Sequence, residues 1–244
     1  MDLIPKFNLT PSTVSLSVAC VLTGYLTSLS ITPPNPNPEK QDVDDRLRKV
    51  LTDRTIRNRK VLYTALSLYH AVMVLVLRDD QPAAPTALCP WAESNLNRPL
   101  LFSWSAYVAV ALGAVCLLGA PLRLASYGAL GRNFTFHLQT PSELNTRGLY
   151  TYMQHPGYTG NTIVRAGCFA VFMRWDGVLG CWIPPAARAA LNGFGWAAYL
   201  VLAVVMARAV MGRVADEEKM LKDKFGDTWV QWHKRTARFV PGIF

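Results

Sequence analysis

Two short stretches of this sequence hold residue types whose spacing could do chemistry. In the first, Thr146-Arg147-Gly148-Leu149-Tyr150 reads as a turn leading into Gln154-His155-Pro156-Gly157-Tyr158-Thr159-Gly160. Pro156 holds the residues before it extended and can start a following helix. A helix N-terminus presents free N–H groups and a positive dipole end, which favours a carboxylate. His155, Tyr150 and Tyr158 add donors and aromatic faces beside it. The same residues would equally suit an interfacial loop whose tyrosines anchor to head groups. In the second stretch Glu217 follows Arg213 by four positions, so a continuing helix puts both on one face. On spacing alone the two are either half of a site or a surface ion pair worth about 0.3–0.5 kcal/mol. Phe225, Trp229 and Trp232 recur at i, i+4 and i+7 with Lys222, Lys224 and Lys234 nearby, the pattern of an amphipathic helix lying on a membrane.

Both stretches must be positioned by a chain of 244 residues that is 51% hydrophobic and only 17% charged, against about 25% charged in an ordinary soluble domain. The charge is uneven, because long apolar runs alternate with loops dense in Lys and Arg. That distribution excludes disorder and a disulfide-built secreted domain, and it argues against a single soluble globule. A spanning helix needs about 20 mostly apolar residues. Val14 to Ile31, Val61 to Leu77 and Leu100 to Leu122 carry no charge, and Asn192 to Gly212 carries only Arg208. Asn161 to Ile183 contains Arg165, Arg174 and Asp176; here Asn161 to Trp175 is expected to cross and the remainder to turn in the far interface. Polar residues inside a span are costly and face the bundle interior. A water-soluble bundle would show a polar face every 3.6 residues, which most of these runs lack. The expected fold is therefore all-α, a polytopic membrane helical bundle of about five transmembrane helices. The first run is longer than a signal h-region, so that span is expected to be retained.

Basic residues choose the orientation of such a bundle. Pro33 to Lys60 holds eight, Ser126 to Gly160 two, and the tail from Arg213 seven of the 25, against Lys6, Arg78, Arg98 and Arg188 on the other side. The asymmetry puts the N-terminus in the lumen and the tail in the cytosol. Topology thus accounts for the net charge of +9 without a nucleic-acid surface. Of the five cysteines, Cys20, Cys89, Cys116, Cys168 and Cys181, none forms a C-x-x-C pair and four lie in or beside spans, where Cys behaves as a small hydrophobe. With four scattered histidines there is no metal-ligand spacing, and a metal enzyme is not expected.

Set in order, the motifs are Gly131-Arg132-Asn133-Phe134, Leu144-Asn145-Thr146-Arg147-Gly148-Leu149-Tyr150, and His155-Pro156-Gly157-Tyr158-Thr159-Gly160. There follow Arg213 with Glu217-Glu218, Phe225-Gly226 with Trp229 and Trp232, and Arg238-Phe239-Val240-Pro241. This ordered set resembles the isoprenylcysteine carboxyl methyltransferase family, related to the phospholipid methyltransferases. It covers about residues 100–244 and divides the chain into N-terminal transmembrane helices and loops at 1–99 and a methyltransferase region at 100–244. Gln154 stands where the family has Arg, Trp229 and Trp232 replace Tyr, and Asn145 replaces an aliphatic residue. These departures bear on substrate choice more than on the cofactor.

The resemblance implies S-adenosylmethionine as cofactor, held on the cytosolic side without a soluble-type Rossmann domain; the chain has no G-x-G-x-x-G after a strand pattern. Carried over motif by motif, the cofactor positions are Gln139, Ser142, Glu143, Leu144, Asn145, Tyr150, His155, Pro156, Gly157, Tyr158 and Glu217, and Arg213 matches the arginine that holds the substrate carboxylate. The implied partners are prenylated protein C-termini or a small prenylcysteine, with membrane lipid around them, in the endoplasmic reticulum. Transfer from a sulfonium to a carboxylate that is ionised at pH 7 needs no general base, so alignment and loss of water at the membrane face would carry the catalysis. Three other readings stay open: methyl transfer to another lipid acceptor such as a phospholipid amine, an NADPH-dependent sterol reductase, and a non-enzymatic scaffold.

Overall fold

The computed structural model describes residues 7–36, 51–77 and 87–242. Lys6, Lys40, Arg46, Arg48, Lys49 and Arg78, part of the basic asymmetry, lie outside these ranges. The described chain is an all-α bundle with no β-sheet; one parallel bridge joins Met153 and Ala237. Local sequence starts each helix. Thr10 caps α1 (Pro11–Ser30) by accepting from the Thr13 N–H, and Thr52 caps α2 (Asp53–Val76) through Thr55. Two single turns, α3 (Ala92–Asn95) and α4 (Arg98–Leu101), precede a long composite helix. It consists of α5 (Ala106–Gly113), a π-helical stretch (Ala114–Gly119) and α6 (Ala120–Leu130). Pro121 offers no N–H to the carbonyl four residues before it, which accounts for the widened turn.

Pro156 opens α7 (Pro156–Phe172), as its position predicts, five residues ahead of the expected span. The last helix, α8 (Pro185–His233), is continuous until Gly226, whose φ of +52° breaks it. At 1.5 Å per residue the stretch before that break is about 60 Å long, twice the ~30 Å hydrocarbon core. Its apolar half can span while the half carrying Arg213 and Glu217 projects beyond. Four segments, Pro11–Ser30, Asp53–Val76, Arg98–Asn133 and Pro185–His233, are long and apolar enough to cross a membrane. The fifth expected span corresponds to α7, which is shorter at 17 residues and packs against α1, α2, α5 and α6.

The inside and outside of the bundle are arranged for lipid. The buried stripe of α1 runs through Ser17, Cys20, Thr23, Gly24, Thr27 and Ser30, small residues that let helices approach and bond. Ser17 Oγ donates to the Ala71 carbonyl at 3.1 Å, and Thr27 Oγ1 lies 3.2 Å from Cys168 Sγ. Large apolar side chains such as Val110, Leu117, Leu200 and Val201 point outward.

The bundle has two chemically distinct ends. At one, the C-terminal ends of α2 and α7 meet the start of α8. There Arg174 donates to both Asp176 oxygens at 2.7 and 2.6 Å, and the Asn97 N–H donates to the Asp176 carbonyl at 2.8 Å. Asn95 Nδ2 binds the carbonyls of Gly180 and Ile183 at 2.8 and 2.6 Å, so the chain turns after Trp175 as expected. The cysteines at this end correct the sequence reading, since Cys181 forms a disulfide with Cys89 rather than acting as a small hydrophobe. Ninety-two residues separate them, and only the fold brings them together. Cys20 and Cys168 are buried free thiols, as expected.

At the other end α7 lies unusually close to α6. A Cβ on Gly160 would stand 2.7 Å from both the Arg123 nitrogen and the Gly119 carbonyl oxygen. Both are backbone atoms and cannot rotate away. Gly160→Ala is therefore expected to force the helices apart and to destabilise by about 1–3 kcal/mol, read as a lower midpoint of thermal unfolding in detergent. An unchanged midpoint would show that the contact is soft.

Candidate functional site

The second end encloses a cavity of about 210 Å³. Its walls come from the N-terminal part of α2, the end of α6, the segment 133–145, the first turns of α7 and the middle of α8. Arg123 ties three of these together. Its Nη1 donates to the Gly157 carbonyl at 3.0 Å and its Nε to the Tyr127 hydroxyl at 3.0 Å. The guanidinium also sits 4.8, 5.0 and 5.5 Å from the ring centres of Tyr127, Phe134 and Phe136.

Arg213 and Glu217 share a face of α8, as their spacing predicts, but they are not a surface pair. Arg213 is buried at 6% exposure. Its Nε donates to the Tyr158 hydroxyl at 2.9 Å, and that hydroxyl donates to Glu217 Oε2 at 2.9 Å. A second nitrogen, Nη2, donates to the Phe136 carbonyl. Tyr158 thus joins the two residues of α8 through α7, and the planar guanidinium is held from two sides.

The neighbouring Glu218 has a different job. His155 Nε2 donates to its Oε1 at 3.3 Å, and Arg238 reaches both oxygens, Nε to Oε1 at 3.0 Å and Nη2 to Oε2 at 3.1 Å. The tail is further sewn to the His155 loop by main chain. The Gln154 N–H donates to Ala237 O at 2.8 Å, His155 N–H to Arg238 O at 3.0 Å, and Ala237 N–H to Tyr152 O at 3.2 Å. Gln154 clamps the turn as well, donating from Nε2 to the carbonyls of His233 and Thr236 at 3.1 and 2.8 Å while its Oε1 accepts from His233 Nδ1 at 2.8 Å.

Of the expected site residues, Arg213, Gln139, Glu143, Leu144, Asn145, Tyr150, His155, Gly157, Tyr158 and Glu217 line the one cavity. Ser142 does not; it is exposed and both its N–H and its Oγ contact Asn133 Oδ1, at 3.4 and 3.3 Å. Pro156 is buried as the first residue of α7. The aromatic stripe turns inward instead of lying on a membrane. Trp229 and Trp232 are buried with Tyr150 and Leu221, and Trp232 Nε1 donates to the Tyr150 carbonyl at 2.8 Å. Burial, and then the Glu217 carboxylate, push the Tyr150 phenol up, so it stays neutral. Sequence reasoning missed Arg123, which looked like the mere end of a span, and the structural roles of Gln154 and Glu218.

Fold and site together define a membrane-type helical bundle with a cavity of mixed polar and apolar lining at one end, walled by the start of α2, the end of α6, the segment 133–145, the start of α7 and the middle of α8. The sequence matches the model of the isoprenylcysteine carboxyl methyltransferase (ICMT) family over residues 109–179. It is also similar to the protein-S-isoprenylcysteine O-methyltransferase of Dictyostelium discoideum, 26% identical over 137 residues, which are 54% of this chain and 49% of that protein. The protein of the same name from Schizosaccharomyces pombe is 28% identical over 146 residues, 58% of this chain and 52% of its own. The matched stretch spans about half the length of these curated relatives.

The Glu218 cluster makes a pH-dependent contribution that can be measured. Burial alone would raise this carboxyl, but the His155 hydrogen bond and charge, with Arg238 and His233, outweigh it and hold Glu218 below the usual carboxylate range. A depressed folded-state value stabilises the fold above the ordinary value, about pH 4.5, and that stability is lost as pH falls through the folded value. Glu218→Gln should lower the unfolding midpoint at pH 7 by the equivalent of about 1 kcal/mol, discounted because Arg238 is open to solvent. The gap to the parent should close below about pH 4.5. A gap that persists into strong acid would remove the charge from the account.

Proposed function

We propose that the cavity binds S-adenosylmethionine and that the protein methylates the C-terminal carboxylate of a prenylated cysteine. One observation carries the reading. Motif segments far apart in the sequence, around 131–160 and 213–218, converge on a single cavity in which Tyr158 joins Arg213 to Glu217. The family match over 109–179 covers the first of these segments.

The residues present fit the cofactor. Glu217 offers an acceptor for an amine or ribose hydroxyl, Tyr150 and Tyr158 offer aromatic faces for a cation, and the first turn of α7 suits a carboxylate. When bound, S-adenosylmethionine supplies an electrophilic methyl group on a sulfonium. Arg213, planar and permanently charged, orients the acceptor carboxylate by a bidentate contact. Its bonds to Tyr158 and Phe136 preset that orientation and lower the entropy lost on alignment. The cationic fork of Arg213 matches a carboxylate and not an amine acceptor, which supports the carboxylate reading.

Five passes, with the cavity in the cytosol and the disulfide end in the lumen of the endoplasmic reticulum, complete the proposal. The Cys89–Cys181 bond supports that orientation, because disulfides persist in oxidising compartments. The cavity lies at the opposite end.

Labelled S-adenosylmethionine offered with acetyl-farnesylcysteine, a phospholipid amine and a sterol should methylate the first alone. Arg213→Lys keeps the charge but loses the fork, and should cut the rate at least tenfold, about 1.4 kcal/mol in the barrier, with cofactor affinity little changed. Glu217→Ala should act chiefly on cofactor affinity. Transfer surviving in Arg213→Glu combined with Glu217→Arg would sink the assignment of both. For orientation, a membrane-impermeant maleimide should label both Ser142→Cys and Gln231→Cys from the cytosolic side. Labelling from opposite sides would overturn the shared site.

A further inference from the structure

The deep half of the cavity has a chemistry that the motif segments leave unexplained. Tyr158, Asn161 and Arg165 follow one another at i, i+3 and i+7 along α7, and all three line the cavity. Ile56, Arg59 and Tyr63 repeat the same spacing along α2 and line it too. Facing them, α8 changes character below Arg213 and offers Val210, Ala209 and Met206. Arg165 lies about 10 Å farther along α7 than Tyr158, inside the segment expected to cross the bilayer. One wall of the deep half is cationic and the wall opposite is apolar.

The cations on that wall are not used by the protein itself. Arg165 is within electrostatic reach of Arg59, Arg123 and Tyr63. Arg123 bonds to Gly157 and Tyr127, and Arg213, already assigned to the acceptor carboxylate, bonds to Tyr158 and Phe136. Arg59 and Arg165, in contrast, make no hydrogen bond or ion pair with any described residue. The two guanidinium groups share one cavity and repel each other, and Arg165, inside the expected span, is costly there without an anion. Tyr63 and Asn161 stand beside them as neutral donors.

We propose that Arg59 and Arg165, with Tyr63 and Asn161, form a second anion-binding subsite. It takes the carboxylate or phosphate of an amphiphile whose apolar body lies along Val210, Ala209 and Met206. Guanidinium forks match either oxyanion. Only the occupant's role rests on the methyl-transfer reading. The anionic group belongs either to the acceptor, which then carries it deeper than the methylated group, or to an anionic lipid of the surrounding leaflet.

The test uses the full chain, purified into nanodiscs of uncharged lipid, and titrates it with dansyl-undecanoic acid by fluorescence. S-adenosylmethionine affinity is measured in parallel as a check on the fold. Arg165→Gln and Arg59→Gln should each weaken the probe about tenfold or more, and Arg165→Lys should restore most of the affinity. Cofactor affinity should stay the same in all three. Displacement of the probe by acetyl-farnesylcysteine, with a raised KM and an unchanged kcat in Arg165→Gln, assigns the subsite to the acceptor. An acidic phospholipid that co-purifies with the parent and is lost from Arg165→Gln, read by native mass spectrometry, assigns it to a lipid phosphate. No probe binding by the parent, or equal binding by the parent and both Gln variants, overturns the proposal. If Arg165→Gln fails to fold, the Arg59→Gln and Arg165→Lys titrations decide it alone. A parent that binds the probe but transfers no methyl group would refute the methyl-transfer reading and leave the subsite standing.

Discussion

The cavity end of this protein depends on the return of the tail onto the loop that precedes α7. Residues 152–155 have no sheet to join, yet Gln154 and His155 are buried, and buried backbone groups must be paired. The tail supplies the partners, through Ala237 and Arg238. That pairing is possible only because Gly226 adopts a φ of +52° and lets α8 break, so the last turns fold back toward the bundle. Trp229 and Trp232 then pack on Tyr150 and close the end of the cavity from outside. Without the closure, Glu218 would lose Arg238 and the 152–155 loop its main-chain partners.

Adjacent carboxylates are divided by this arrangement. Glu218 is turned toward His155 and Arg238 and holds the tail in place, while Glu217 meets the Tyr158 hydroxyl and faces the cavity. Successive residues on a helix project about 100° apart, so a neighbouring pair can bond to structure on one side and offer a group to a ligand on the other. Arg123 plays the matching role on the opposite wall. It fixes the first turn of α7 and the segment 134–136 by hydrogen bonds and ring contacts, and so sets the height at which Tyr158 meets Arg213.

The two ends of the bundle use polar residues differently. At the disulfide end Arg174 and Asp176 satisfy each other, and Asn95 and Asn97 bond to main chain across the turn between α7 and α8. At the cavity end Arg59 and Arg165 line the cavity without a partner among the described residues.

The sequence by itself determined the helices, their order and most of the cavity wall. Helical runs follow from unbroken apolar stretches, and Thr10, Thr52 and Pro156 mark starts through local chemistry that needs no distant partner. Spacing also put Arg213 and Glu217 on one face of α8, because the 3.6-residue period is a property of the backbone. Only the tertiary structure decided what those faces meet. Spacing left Arg213 and Glu217 as either a surface pair or part of a site, and Tyr158, 55 residues from Arg213, stands between them. Trp229 and Trp232 had the spacing of a membrane-surface stripe, which a turn at Gly226 points inward. Cys89 and Cys181 carry no local signal of pairing. In each case the deciding interaction joins residues more than fifty positions apart or depends on one backbone torsion. A helix period tells which side chains share a face; it holds no information about which other face arrives to cover them.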